Sequence, residues 1–380
     1  MTDLAGRPLP EVAWFGALCD DDYEQLGVPD PALASSWDHC RSIAVAADGA
    51  GFDAILMPSG YELGIDPVAF TAAVAPMLER IAPLVAVRVG ELWVPQLARQ
   101  LATLDQVLGG RLLVNIISSD LPGESLASEP RYRRTLETML ALKQLLAGQA
   151  LDVHGEFLDL TLDPPRICAE RTAAPPLYFG GLSPAAREVA AEAADVYLMW
   201  PDTVAGAAAV VDDLTMRAAA HGRTLRYGLR VHVIVRETEA EARAAARHLV
   251  SALDDATGAA IRNRSLDTAS VGVARQGELR DGADDEGYVE DHLWTGIGRA
   301  RSGAGAAIVG DPDQVRATLD AYRAVGIDAF ILSGYPHERE CERVARLVAR
   351  RLPPRTARPL RSQTVGPGLS QNAEQLLLSA

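Results

Sequence analysis

At 380 residues, 48% of them hydrophobic, the chain is long enough for one large α/β domain or two ordinary ones and too apolar to be disordered as a whole. A formal net charge of −15 argues against a broad basic surface for nucleic acid, and no apolar run approaches the roughly 18 residues of a membrane span. Cys19, Cys40, Cys168 and Cys341 form no CxxC pair, disulfide framework or metal-ligand spacing, and the first residues lack a basic-then-apolar leader, so the expectation is a cytoplasmic protein without a metal site.

Strand-like and helix-like segments alternate along the chain, the pattern of a parallel sheet with crossover helices. Residues 12–17 open as a buried strand, and a helix over Trp37–Ala50 is stopped by Gly51 before a strand at Ala54–Met57. The glycines of Gly49-Ala50-Gly51-Phe52-Asp53-Ala54 match a dinucleotide fingerprint in spacing, but they follow a helix and precede a strand, which fits helix capping and turn geometry. A strand at 84–89 leads to a helix at 95–108. Residues 112–117 form the next strand, in which Asn115 sits among apolar neighbours and needs a hydrogen-bonding partner inside. The polar stretch Ser118-Ser119-Asp120, a long helix at 132–146 and a small hairpin at 151–160 come next.

The strand Leu177–Phe179 ends in Gly180-Gly181-Leu182-Ser183-Pro184. Two glycines, a serine at the N-cap and a proline at the first helical position leave backbone N–H groups free, which suits either a phosphate or ordinary capping. After a strand at 194–200 and a helix to about His221, Leu229, Val231, Val233 and Val235 alternate with Arg230, His232 and Ile234. Such a strand is either an edge whose Arg230 and His232 face water or a central one. In a central strand, burying those groups costs several kcal/mol unless a partner or bound anion compensates.

Beyond a helix at 239–253 the pattern breaks. Residues 254–303 are polar and glycine-containing, with Asp284-Asp285-Glu286 and the basic Arg280, Arg299 and Arg301, as expected of a disordered insertion or a mobile lid. Order resumes at 308–310, Asp311 can cap a helix over Pro312–Ala324, and a last strand at 329–332 ends in Ser333-Gly334-Tyr335-Pro336-His337. A final helix is expected to about residue 352, followed by a proline-rich tail at 353–380.

About eight strand–helix units in one chain, with insertions near 151–175 and 254–303, favour a single α/β TIM barrel over residues 1–352. A doubly wound sheet is disfavoured because no phosphate fingerprint follows the first strand. A closed barrel has no edges, so Arg230 and His232 point inward while the four aliphatic residues face the helices. Sites in such barrels lie at the C-terminal ends of the strands, a rule that gathers Ser118, Ser183, Trp200, His232 and Tyr335 on one rim. His39, His154, His221, His248 and His292 share no spacing and read as surface or loop residues, and Cys40, Cys168 and Cys341 as packing residues.

Taken in order, Leu177-Tyr178-Phe179-Gly180-Gly181, Arg230-Val231-His232-Val233-Ile234-Val235-Arg236-Glu237-Thr238 and Leu332-Ser333-Gly334-Tyr335-Pro336-His337 closely resemble the bacterial luciferase-like flavin monooxygenases, and within them the alkanesulfonate monooxygenases. The segments Trp294 through Arg301 and Val309-Gly310-Asp311 look like that family's mobile segment and the stretch just after it. The resemblance implies a barrel that binds reduced FMN (FMNH2) supplied by a separate NAD(P)H-dependent flavin reductase and uses O2, through a peroxyflavin, to oxygenate a small molecule. For an alkanesulfonate the products would be sulfite and an aldehyde.

The same resemblance implies that Arg230, His232, Arg301 and Tyr335 surround the sulfonate and the reacting flavin, and that Gly180, Gly181 and Ser183 hold the FMN phosphate. It further implies that Asn115, Ser118 and Tyr132 lie along the flavin, that Cys19, Trp200 and His337 shape the substrate pocket, and that the protein is a homo-oligomer, dimer or tetramer. Two loops depart from the sulfonatase pattern. Cys19 stands where those enzymes have a histidine, and Pro58-Ser59-Gly60 runs into Tyr61-Glu62-Leu63-Gly64-Ile65-Asp66, which is longer and lacks their cysteine. The substrate therefore stays open. Two alternatives are a deazaflavin-dependent oxidoreductase of the same fold and a catalytically silent flavin-binding protein. Arg230, His232, Arg301 and Tyr335 speak against the second, since storing a flavin does not require this polar set.

Overall fold

The structure, a computed structural model, describes residues 9–263 and 270–348. The expected tail at 353–380 lies outside the described residues. Eight parallel strands close into a barrel in the order β1 (Glu11–Phe15), β2 (Ala54–Met57), β3 (Ala82–Arg88), β4 (Leu113–Ile117), β7 (Leu177–Phe179), β8 (Val196–Met199), β9 (Arg226–Val235) and β13 (Ile327–Ser333). The ring closes where β13 pairs with β1, Glu11 opposite Ala329. Between β4 and β7 sits the hairpin β5 (Leu151–His154) and β6 (Asp159–Leu162).

Around the ring run α1 (Trp37–Ala50), α2 (Pro67–Val74), α3 (Val94–Val107), α4 (Ser128–Leu146), α5 (Pro184–Ala193), α6 (Val204–Ala220), α7 (Glu239–Leu249), α10 (Pro312–Ala324) and α11 (His337–Leu347). The sequence reading omitted α2, although Asp66 caps it through the Ala69 N–H and Pro67 opens it. The helix expected at 239–253 ends at Leu249, because that residue's carbonyl accepts from Leu26 N–H at 2.8 Å, tying the loop after β1 to the end of α7.

Alternation decides the layers. Leu229, Val231, Val233 and Val235 are fully buried in the large cluster between strands and helices, whereas Ala13, Phe15, Leu56, Leu84, Leu113, Tyr178, Val196 and Ile331 fill the inside of the barrel. The floor is closed by polar groups. Tyr178 Oη donates to Glu11 Oε1 at 2.6 Å, and Arg226 pairs with Glu11 at 3.3 Å and with Asp328 at 3.0 Å. With the lower end plugged, a small molecule can enter only at the other end of the strands.

Residues 254–303 do not form the featureless stretch that their composition suggests. They carry α8 (Asp255–Arg262), α9 (Val271–Asp281), β10 (Tyr288–Glu290) and β11 (Leu293–Trp294), and β11 pairs with β12 (Ala307–Gly310), which lies parallel to the upper half of β9. Packing against the barrel makes these short elements possible. Arg275 on α9 holds Asp202 through two bonds of 2.8 Å, and Gln276 donates to the Pro201 carbonyl at 2.7 Å.

Candidate active site

A cavity of about 580 Å³ opens at the C-terminal ends of the barrel strands, roofed by residues of the insertion from Ile261 to Ala304. Its volume lies within the range of small-molecule and cofactor sites. Of the residues expected there, Cys19, Asn115, Ser118, Tyr132, Gly180, Gly181, Ser183, Trp200, Arg230, Arg301 and Tyr335 line it. His232 and His337 do not. Both are fully buried one layer behind, against the ring of Tyr335.

Phe15 at the end of β1 organises one side. The Arg230 guanidinium lies 4.2 Å over its ring centroid and that of Arg301 5.4 Å away. Arg301 is neutralised, since its Nη1 donates to Asp21 Oδ2 at 2.9 Å and to Tyr335 Oη at 3.0 Å. Arg230 is not. It is 3% exposed, and neither Nη1 nor Nη2 has a hydrogen-bonding partner among the described residues. Burial, followed by the charge of Arg301, pushes its pKa down to about 9, so at neutral pH it remains a desolvated cation.

Behind these groups, His232 Nδ1 lies 2.7 Å from Ser333 Oγ and the ring stacks on Tyr335 with centroids 5.1 Å apart. Burial, then the charges of Arg230 and Arg301, hold its pKa well below the usual histidine range, so the imidazole is neutral at pH 7. Burial also raises Tyr335 to about 12, which keeps its phenol protonated. Cys19 is pushed upward by burial and by Asp21, so it lines the pocket as a neutral thiol and not as a nucleophile.

The opposite side is the turn after β7. In the ring, β7 stands four strands from β1, so the Gly180-Gly181-Leu182-Ser183 turn faces Phe15 across the cavity. A Cβ on Gly180 would come within 2.0 Å of the Leu198 carbonyl oxygen, and Gly181, at φ +154°, has no room for one beside Ala186. Tyr197 Oη donates to the Gly181 carbonyl at 2.8 Å, and Ser183 Oγ caps α5 through the Ala186 N–H at 3.2 Å. Ser183 is thus both the ordinary cap and part of the lining. Asn115 opens into the cavity, where a partner inside the barrel was expected, and Ser118 Oγ lies 2.8 Å from Thr135 Oγ1, which also reaches the Arg131 carbonyl at 2.9 Å. Gly180→Ala is expected to lower stability by about 2 kcal/mol through its clash with β8, a loss that thermal denaturation would register.

Three groups in or beside the site escaped the sequence reading: Asp21, Asp22 and Arg88. The run Asp20-Asp21-Asp22 just past the first strand was the available signal. Asp22, fully buried, accepts from His337 N–H at 3.0 Å and lies 2.9 Å from both His337 Nδ1 and His39 Nε2. This explains why His337 is withdrawn from the cavity, and it corrects the reading of His39 as a surface residue. Burial alone would raise the Asp22 carboxyl, but the His337 charge and these hydrogen bonds outweigh it and hold the pKa below the usual carboxylate range. A carboxyl held below its unfolded value stabilises the fold above about pH 4, and that contribution disappears as the pH falls further. Asp22→Asn is expected to cost about 2 kcal/mol at pH 7, with the gap to wild type closing in denaturation experiments taken below pH 4.

Trp200, at the rim, is packed between two glycines of the insertion: a Cβ on Gly272 would lie 2.9 Å from its ring and one on Gly303 3.3 Å away. The cavity thus lies at the mouth of the barrel between a glycine turn and a pair of arginines, and residues 19–329 match the family described as luciferase-like monooxygenase. The chain belongs to that family, and it is a monooxygenase. It is 61% identical over 345 residues to the sulfoquinovose monooxygenase of Novosphingobium aromaticivorans, covering 89% of this chain and 95% of that one. With the sulfoquinovose monooxygenase of Agrobacterium fabrum it shares 52% over 335 residues, 87% of each chain. Among solved structures, the EDTA monooxygenase of Chelativorans superposes with a TM-score of 0.73 over 93% of this chain and 97% of that one, at 15% identity.

Proposed function

We propose that this protein is a two-component monooxygenase that takes reduced FMN from a separate NAD(P)H-dependent flavin reductase, uses O2, and oxygenates a sulfonated sugar of the sulfoquinovose type to sulfite and an aldehyde. The observation that carries this reading is Arg230, a buried guanidinium whose Nη1 and Nη2 have no hydrogen-bonding partner among the described residues, set beside Arg301 on the Phe15 ring and across the cavity from the glycine turn. Two separate anion-seeking regions suit two anionic molecules, a flavin phosphate and a sulfonate. The names of the two relatives support the sugar sulfonate as substrate.

The fit to FMN rests on the glycine cradle that a Cβ would fill at Gly180 and Gly181, with Ser183 and Tyr132 beside it and Asn115 and Ser118 along the wall. Reduced FMN would supply, with O2, the oxidising chemistry. The chain's own groups would do the rest. Arg230 and Arg301 bind the sulfonate, the Tyr335 phenol keeps its proton while donating at the reacting end, neutral His232 fixes that phenol by stacking, and the insertion excludes water. An anaerobic titration comparing reduced FMN with a reduced deazaflavin tests the cofactor assignment. Tighter binding of FMN is expected, and the reverse order would replace this reading with a deazaflavin-dependent oxidoreductase.

A further inference from the structure

The cavity holds another guanidinium for which the proposed reaction has no use. Arg88 is the last residue of β3 and points inward above Leu84 and Ala86, which lie on the same face of the strand. Its side chain is 4% exposed, and its Nε donates to Glu91 Oε1 at 3.1 Å. Nη1 is buried without a hydrogen-bonding partner among the described residues. Glu91 is exposed to solvent, so water screens its carboxylate and the pair offsets only part of the Arg88 charge. Arg88 therefore brings positive charge into the site that protein groups only partly offset.

Its position in the ring narrows the choice of anion. β3 stands four strands from β9, so Arg88 and Arg230 face each other across the cavity, one on either side of the line from the β7 turn to Phe15. A cofactor anchored by its phosphate at the turn and extended toward Phe15 passes between them. The phosphate has the turn, and the sulfonate has Arg230 and Arg301. The anion left for Arg88 is the flavin ring itself. A reduced isoalloxazine deprotonated at N1 carries negative charge over N1 and the C2 carbonyl oxygen, whereas the oxidised ring is neutral.

We propose that Arg88 makes this site selective for reduced over oxidised flavin, by pairing its free Nη1 side with the charge that only the reduced ring carries. The inference rests on the reading of reduced FMN as cofactor. Such a residue serves a two-component enzyme, which must capture the reduced flavin and then release the oxidised product.

The test is a pair of fluorescence titrations, reduced FMN under anaerobic conditions and oxidised FMN in air, on the full chain and on Arg88→Gln and Arg88→Lys. Wild type should bind the reduced form more tightly. Arg88→Gln should shrink the reduced-to-oxidised affinity ratio roughly ten- to a hundredfold, the worth of a charged hydrogen bond. Arg88→Lys should keep most of the ratio, and comparison with the lysine variant separates lost charge from lost structure if the glutamine variant folds poorly. An unchanged ratio in Arg88→Gln would overturn the proposal. So would equal weakening of both redox forms, which would mark a phosphate contact, or a raised KM for the sulfonated sugar with the ratio intact, which would mark a substrate contact. Failure of wild type to bind reduced FMN at all would remove the cofactor reading beneath it, an outcome visible before any variant is made.

Discussion

Arg230→Met is expected to fold as wild type does, to melt no lower, and to lose most of its activity. Among the described residues the arginine makes no hydrogen bond through Nη1 or Nη2 that methionine would forfeit, and its burial beside Arg301 is a cost that an apolar side chain of similar length removes. The sign is consistent with the pKa. A cation whose folded pKa lies below its unfolded value opposes folding at every pH at which it is charged, and removing it relieves that opposition. A bound sulfonate, however, would lose its most deeply buried partner. Truncating one side of a buried charged pair costs about 2 to 5 kcal/mol, which corresponds to a fall in kcat/KM of roughly thirty- to several-thousandfold. Steady-state kinetics beside a melting curve checks both halves. A variant that melts far lower would show that Arg230 is structural.

Arg301→Ala should do different damage. Arg301 links three parts of the site, because it sits in the insertion and grips both Asp21 in the loop after β1 and Tyr335 in the turn after β13. Its removal leaves the half-buried Asp21 carboxylate, whose Oδ1 already has no partner among the described residues, without its counter-charge. Losing one member of such a pair is worth about 3 kcal/mol or more. The expected result is a tenfold or greater drop in product formed per reduced flavin consumed, since a looser roof admits water at about the cost of that pair. Faster amide hydrogen exchange should appear around Ala300–Ala304. Tight coupling and unchanged exchange would detach Arg301 from closure.

The sequence was informative where a residue's neighbours on its own strand settle its direction. Leu229, Val231, Val233 and Val235 alternate with Arg230 and His232, and a closed barrel leaves the polar pair only the interior, which is where they are. The Gly180-Gly181 turn was equally legible, because the need for glycine is local to the crossing of β7 and β8. His337, by contrast, looks like a lining residue until Asp22, 315 positions away, is seen to hold its ring and backbone N–H behind Tyr335. Asp21 and Arg301 are 280 positions apart. No periodicity reports such pairings, which arise only when loops from different strands meet on one rim. The short elements inside the insertion were not legible for a related reason. α8 spans only 8 residues and α9 11, and helices this short take their stability from packing and leave a weak periodic signal.

Sulfite release tests the central claim most directly. Purified protein supplied with a flavin reductase, NADH, FMN and oxygen should release one sulfite per sulfoquinovose consumed, and none when the sugar is unsulfonated glucose or the reductase is omitted. Tight binding of reduced FMN without sulfite from sulfoquinovose would contradict the proposed substrate while leaving the flavin site standing, and sulfite release without any reductase or reduced flavin would contradict the account as a whole.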